Sequence, residues 1–454
     1  MAGHNRNTRH PPGPRTPSPL QLLAYGRDVV SFLTKNRERF GPIFRMRFPL
    51  QPDLIVVSDA DALEQLLQID SDQIPPYPAN HAIKSIFGPD SLLFKSGESH
   101  RDDRSLLTPH FSSEAAIAAR EMIREQVALH LQHVPLARLK IYPWAYRLTL
   151  RLTLIMFWGC QELDLIERIE HAVELSRQRY DSYRNMVLDT VAMSSEQYPI
   201  SSRLLRLLPG DPRARLRQQF TGLINEQATK MRQSPDSYPE CPFKTLLSRV
   251  PADAPVDDAF VDFMMTVLIA AYDPPAATTS WLLLELARSN EIQQQIQDEQ
   301  LTVGSPTDSE ALEASIQEVY RLYPPLHSIT RTLTAPVEIG GFQLRAGTYV
   351  LPSIYLLHRE PMYWDAPDEF RPERFLNRQR ALELSDGYLP FGASTRTCPG
   401  RHFATVITRT IASEFVNRYR MTSLQDQLKP PRTLGPTLVP DDQMAIGLEP
   451  RCDS

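Results

Sequence analysis

The stretch Phe391-Gly-Ala-Ser394-Thr-Arg396-Thr-Cys398-Pro-Gly400 places a single thiol just ahead of a helical pattern that begins near Arg401. A thiolate that binds a metal ion needs a lowered pKa and shelter from oxidation. The start of a helix favours negative charge through its free amides and its dipole, so this position predicts a thiol held below its ordinary pKa. Gly400 is expected to let the backbone turn so that amides point at the sulfur, and the ring of Phe391 to shield it. The following helix carries Phe403, Ile407, Ile411 and Phe415 at i+4 spacing, an apolar stripe that seats it in a core. A lone buried cysteine is usually a small structural hydrophobe, so its neighbours decide.

Three further sets of residues have spacing with chemical meaning. Glu318 and Arg321 lie three apart on a predicted helix and share one face; exposed, such a pair contributes under about 1 kcal/mol. His100 and Arg104 lie four apart, which aims both side chains at one point. Asp273 is an acid inside a long apolar segment and is followed by Pro274-Pro275. It is a candidate for proton supply; a solvated acid paired with a distant arginine is the other reading.

These residues must be held by elements of two kinds. Residues 1–20 read as a mobile arm containing Pro11-Pro12-Gly13-Pro14. A helical pattern covers Leu22 to Phe40, short strands cover Ile43 to Phe48 and Leu54 to Val57, and a helix covers Ala60 to Leu67. Residues 74–98 read as a loop. The stretch from about 99 to 300 is mostly helix, including Asp257 to Arg288. Val337 to Ile339, Gly340-Gly341 and Phe342 to Leu344 predict a hairpin, with a strand at Tyr349 to Leu351. A last helix is expected from about Arg401 to Arg418. The expected fold class is mainly α with a smaller β subdomain, with residues 21–454 as one domain.

Composition sets the outer bounds. A hydrophobic fraction of 42% and a charged fraction of 23% are those of a globular chain with a large core. The net charge of -5 gives no reason to expect a nucleic-acid partner. Cys160, Cys241, Cys398 and Cys452 show no C-x-x-C spacing, which fits a reducing compartment. No run of 18 apolar residues and no apolar leader is present, so a cytoplasmic protein without a membrane span is expected.

The F-x-x-x-x-R-x-C-x-G arrangement around Cys398 resembles the signature of the cytochrome P-450 superfamily. Glu318-Val-Tyr-Arg321 resembles the family's E-x-x-R, and Phe370-Arg371-Pro372-Glu373-Arg374-Phe375 its P-E-R-F segment. Gly97-Glu-Ser-His100-Arg-Asp-Asp-Arg104 is similar to the helix that crosses the haem. The resemblance covers roughly residues 10–450. It implies a b-type haem ligated by Cys398 and buried between the long oxygen-side helix and the helix after the cysteine loop. It further implies propionate contacts from His100, Arg104, Arg331 and Arg396, and a structural triad of Glu318, Arg321 and Arg374. The implied activity inserts one oxygen atom from O2 into a small or medium organic substrate, in biosynthetic metabolism, with electrons from a ferredoxin-like donor and its reductase. Phe87, Leu92, Phe94, Ile269, Tyr272, Leu326 and Ile329 are expected to line the pocket.

Two departures stand out. Ser394 occupies the position four before the cysteine where the family carries glycine, which predicts a strained loop or a different turn. Over the haem, Ala270-Ala271-Tyr272-Asp273-Pro274-Pro275 keeps the small pair and the acid of A-G-x-D/E-T but lacks the threonine. The prolines are expected to kink the helix. They donate no proton, so substrate, ordered water or Asp273 must stand in; Thr278 and Thr279 would serve only after a shift of register. Two alternatives stay open on this ground: an enzyme using peroxide or rearranging an oxygenated substrate, and a non-enzymatic haem-thiolate sensor or carrier.

Overall fold

The computed structural model describes residues 10–49, 51–69, 87–180, 212–305, 307–376, 382–434 and 436–451. Residues 12–16 of the expected arm hydrogen-bond to the rest of the chain. Pro12 accepts a hydrogen bond from Arg45 N–H at 2.7 Å. Gly13 lies so close that a Cβ there would overlap the Arg45 carbonyl oxygen. Gln21 donates to the carbonyls of Pro14 and Thr16 and accepts from Arg47 N–H. The prolines lack donors but keep their carbonyls, and that of Pro12 pairs with an edge strand. Of the expected arm, residues 1–9 lie outside the described residues.

The predicted helix over 22–40 is two helices, α1 (Ser18–Arg27) and α2 (Val29–Phe40). Asp28 breaks them because its carboxylate accepts from Ser31 N–H at 2.9 Å and starts a new helix. A mixed sheet follows: β1 (Ile43–Met46), β2 (Leu54–Val57), β7 (Tyr349–Pro352) and β4 (Arg331–Thr332), in the order β1-β2-β7-β4. β2 runs parallel to β7 with Leu54 opposite Tyr349. β5 (Val337–Ile339) and β6 (Phe342–Leu344) pair as expected; Gly340 and Gly341 at φ 55° and 81° make their tight turn. Helix α3 (Ala60–Gln68) packs beside this sheet.

The α part contains α4 (Gly97–Leu107), α5 (Arg120–Leu131), α6 (Ile141–Trp158), α7 (Leu163–Tyr180), α8 (Pro212–Gln233), α9 (Asp258–Leu286), α10 (Asn290–Val303), α11 (Glu310–Leu322) and α12 (Arg401–Arg418). Helix α9 runs through the main core, in which α5, α6, α11 and α12 also bury their apolar residues. β8 (Tyr419–Ser423) and β3 (Leu139–Lys140) flank β11 (Ala445–Pro450), and β9 (Arg432–Leu434) pairs with β10 (Thr437–Val439).

The charged pair on α11 is wholly buried. Arg321 donates from Nε and Nη2 to the Glu318 carboxylate, both at 2.7 Å, and the two side chains are 0% exposed. Arg374 Nε reaches the same carboxylate at 3.3 Å, and Arg371 N–H at 2.9 Å. The remaining Arg321 donors bond the carbonyls of His358, Pro367 and Glu369. One buried ion pair thereby gathers the chain segment that leads to the cysteine loop.

Candidate active site

The cysteine loop is suspended from this frame. Leu389 N–H donates to His358 Nε2 at 2.7 Å, so the imidazole proton must sit on Nδ1, which faces Arg321 O at 3.2 Å. Burial, then the Arg321 charge, pushes the His358 pKa down to about 3, so the ring stays neutral. The chain then turns through Gly392 at φ 68° and Ser394 at φ 60°. The loop therefore keeps a left-handed conformation at the departing residue and accepts strain there. Cys398 N–H closes the loop on Phe391 O at 2.9 Å. The Phe391 ring packs edge-on against Tyr320 at 4.8 Å.

Gly400 caps α12 at φ -81°, ψ 8°. Any residue adopts that conformation, and a Cβ would make ordinary contact with Phe111 and the Cys398 sulfur at 3.8–3.9 Å. The expected tight turn is thus not what places glycine here. The expectation of a depressed thiol pKa is also corrected. Burial pushes the Cys398 thiol up, and the Gly400 N–H with the Arg104 and Arg401 charges offsets this only in part. A cation taking the proton's place completes what these groups begin.

The predicted cations converge beside this loop. His100 is buried on α4, and its pKa is pushed down to about 4 by burial and then by Arg396, Arg104, Arg331 and Arg101. The leading charges acting on that imidazole are four arginines. Arg104 Nη2 donates to Thr397 O and Arg396 Nη2 to Lys95 O, each at 2.6 Å, which stitches α4 to the cysteine loop. Arg331, on β4, is pushed down to about 10 by burial and Arg396. A cavity between α3, β4 and the loop is lined by Leu63, Leu66, Ile329, Arg331, Leu389 and Arg396. A thiol beside clustered guanidinium groups and apolar walls fits an iron porphyrin with two carboxylates. Sequence reading missed Arg101 and the carbonyls of Lys95 and Thr397; neighbours in a helix point about 100° apart, so spacing does not single out Arg101.

Helix α9 stays continuous through Pro274 and Pro275, so the expected kink does not interrupt it. The prolines still leave the carbonyls of Ala270 and Ala271 without their helical N–H partners. Ala270 is exposed, and Ile269, Ala271 and Pro274 are half-buried, on a helix otherwise packed on nearly every face. These four form the open strip. Thr279 donates to Thr408 of α12 at 3.3 Å, and Ser280 to Ala276 O, so no register shift brings a threonine to the strip.

Other expected pocket residues divide. Leu326 is 40% exposed and Ile329 lines the cavity; Phe94 is half-buried, and Phe87 and Leu92 are buried. Tyr272 is core, edge-on to Tyr146 at 5.1 Å. The Asp273 carboxyl is buried and accepts from Tyr142 Oη at 2.9 Å and from Thr437 Oγ1 at 2.5 Å. Burial raises its pKa, opposed by those two hydroxyls and by the Arg177 and Arg432 charges.

The cytochrome P450 family model matches residues 11–444. Cytochrome P450 135A1 of Mycobacterium tuberculosis is 29% identical over 422 residues, spanning 91% of this chain and 89% of that protein. Taxane 10-beta-hydroxylase of Taxus cuspidata is 22% identical over 439 residues, 92% of this chain and 85% of the other. The retinoic acid-bound cyanobacterial CYP120A1 structure aligns with a TM-score of 0.76 at 22% identity, covering 97% and 99% of the two chains. The CYP175A1 structure from Thermus thermophilus aligns at 0.69 and 23%, covering 95% and 97%. At such identities the structures establish the fold, and the family match over nearly the whole length establishes the rest: this chain is a member of the cytochrome P450 family, a haem-thiolate monooxygenase.

Proposed function

We propose that Cys398 ligates the iron of a b-type haem whose propionates lie among His100, Arg104, Arg331 and Arg396. The enzyme then oxygenates a small or medium, largely apolar organic molecule of biosynthetic metabolism. The observation that carries this reading is the convergence at the cysteine loop, where a thiol precedes α12 and Arg104 and Arg396 join that loop to the His100 segment by hydrogen bonds of 2.6 Å. When bound, the haem supplies the iron that activates O2. The chain's own residues bind and orient. Phe391 and its partner Tyr320 screen the sulfur, and the Gly400 N–H withdraws charge from it. Ile269, Ala270, Ala271 and Leu326 offer the substrate an apolar wall.

Proton supply differs from the usual arrangement. No hydroxyl follows Asp273, and both carboxyl oxygens of that residue are already bonded. The substrate's own polar group or an ordered water, held at the free carbonyls of Ala270 and Ala271, takes that part. Electrons are assigned to a ferredoxin-like donor with its reductase, and the site of action to the cytoplasm. No helix among the described residues is long and apolar enough to cross a membrane.

The test is spectral and kinetic. Reduced protein with carbon monoxide is expected to show the thiolate band. Cys398→Ala should lose it, while Cys160→Ala and Cys241→Ala keep it; retention in Cys398→Ala overturns the assignment. Product per NAD(P)H consumed should be high for the true substrate and low for analogues lacking its polar group. Turnover with peroxide alone, and none with O2 and reductase, would replace this reading with a peroxide-using enzyme.

A further inference from the structure

We propose that Asp273 is a positioning residue that anchors the β9–β10 strand pair, and through it the Pro325–Leu326 segment, to helix α9, and so sets the shape of the substrate pocket. The inference rests on the reading above that the open strip of α9 faces the substrate. Asp273 joins three elements far apart in sequence. Its Oδ1 accepts from Tyr142 of α6 at 2.9 Å, and its Oδ2 from Thr437 of β10 at 2.5 Å. All three side chains are buried.

From Thr437 the connection continues to the pocket edge. Thr437 forms an isolated bridge with Leu326, and Leu438 N–H donates to Pro325 O at 2.7 Å. Leu326 is an apolar side chain left 40% exposed next to buried Pro325 and His327. On α9 the exposed Ala270 lies one turn before Asp273. The carboxyl therefore sits where the helix that carries the strip meets the strand that is bridged to Leu326.

A second layer braces the same joint. Arg177 of α7 bonds Glu174 and reaches Asp442 at 3.1 Å, and its guanidinium lies over the rings of Tyr142 and Tyr146. Arg432 of β9 bonds the other oxygen of Asp442 at 2.8 Å. The hairpin base is held by ion pairs at Asp442, and the Thr437 side chain by the carboxyl of Asp273. Burial raises the pKa of the acid there, and the groups bonded to it are two hydroxyls. A proton donor to the pocket would need an oxygen turned toward the strip, whereas both oxygens are bonded to protein hydroxyls.

The test compares wild type with Asp273→Asn, Thr437→Val, Thr437→Ser and Tyr142→Phe, all as full chains loaded with haem. The first readout is backbone hydrogen exchange over 325–328 and 432–439, which needs no turnover. The second is the Soret-shift titration with imidazole and with 4-phenylimidazole. Asp273→Asn and Thr437→Val should speed exchange in both segments. They should weaken 4-phenylimidazole about tenfold, as loss of one buried hydrogen bond does, while imidazole stays within about twofold. Thr437→Ser should behave as wild type. Should Asp273→Asn fail to fold, the near-isosteric Thr437→Val decides alone.

Unchanged exchange and unchanged 4-phenylimidazole affinity in Thr437→Val overturn the proposal. So does an Asp273→Asn variant that alone slows product formation and raises the solvent isotope effect, because that is the signature of a proton donor. A wild type that shows no thiolate band would instead defeat the haem assignment, and the exchange comparison would still read the anchor.

Discussion

Replacing Glu318 by alanine removes the centre of the α11 frame, and the structure sets the size of the effect. The carboxylate accepts two bonds from Arg321 at 2.7 Å, one from Arg371 N–H at 2.9 Å and one from Arg374 at 3.3 Å. Without it the Arg321 guanidinium stays at 0% exposure with a full charge. Breaking a buried pair this way costs about 3–5 kcal/mol. Three backbone carbonyls and the Trp364 ring, 5.0 Å from the guanidinium carbon, still face Arg321. They place the expected loss near the low end, about 3 kcal/mol, or roughly a hundredfold in the folding equilibrium. Removing the charge as well, in Glu318→Leu with Arg321→Met, should recover part of the loss; the orphaned carbonyls of His358, Pro367 and Glu369 prevent full recovery. Urea midpoints followed by circular dichroism, with the Soret-to-280 nm ratio for haem content, check both. A haem-replete Glu318→Ala protein that loses under about 1 kcal/mol would show that the pair behaves like an exposed one, and the reasoning would be refuted.

His327 and His358 are buried with pKa values pushed down to about 4 and about 3. An unfolded imidazole takes its proton near 6.5, so below that pH the unfolded chain binds more protons than the folded one. Stability should therefore be full above about pH 6.5 and fall as the pH drops toward those lowered values; urea midpoints should show this, with a shallower decline in His327→Gln, and a flat profile would contradict it. Ser394→Gly should be neutral or gain about 0.5 kcal/mol, since the relieved φ of 60° is partly offset by glycine's entropy; Ser394→Val should lose about 1–2 kcal/mol in thermal unfolding. Gly13→Ala should push the N-terminal segment off β1 and cost about 1–3 kcal/mol, read as faster proteolysis near residues 10–17.

The elements whose instructions are local were legible in the sequence. The β5–β6 hairpin follows from paired glycines, α12 from its i+4 stripe, and the Glu318–Arg321 pair from its spacing on one face. The cysteine loop was legible as a pattern. Tertiary structure decided the rest for two reasons. Helix α9 is apolar on nearly every side, so its periodicity carries no direction. Only packing against α6 and β10 turned Tyr272 and Asp273 away from the strip occupied by Ala270 and Pro274. The Cys398 thiol is the second case. A helix start predicts a lowered pKa, but desolvation is set by everything that surrounds the sulfur, and there burial outweighs the local amides and arginines. Spacing along a chain names the groups that share a face; which partner that face meets, and how much water it loses, is settled by segments hundreds of residues away.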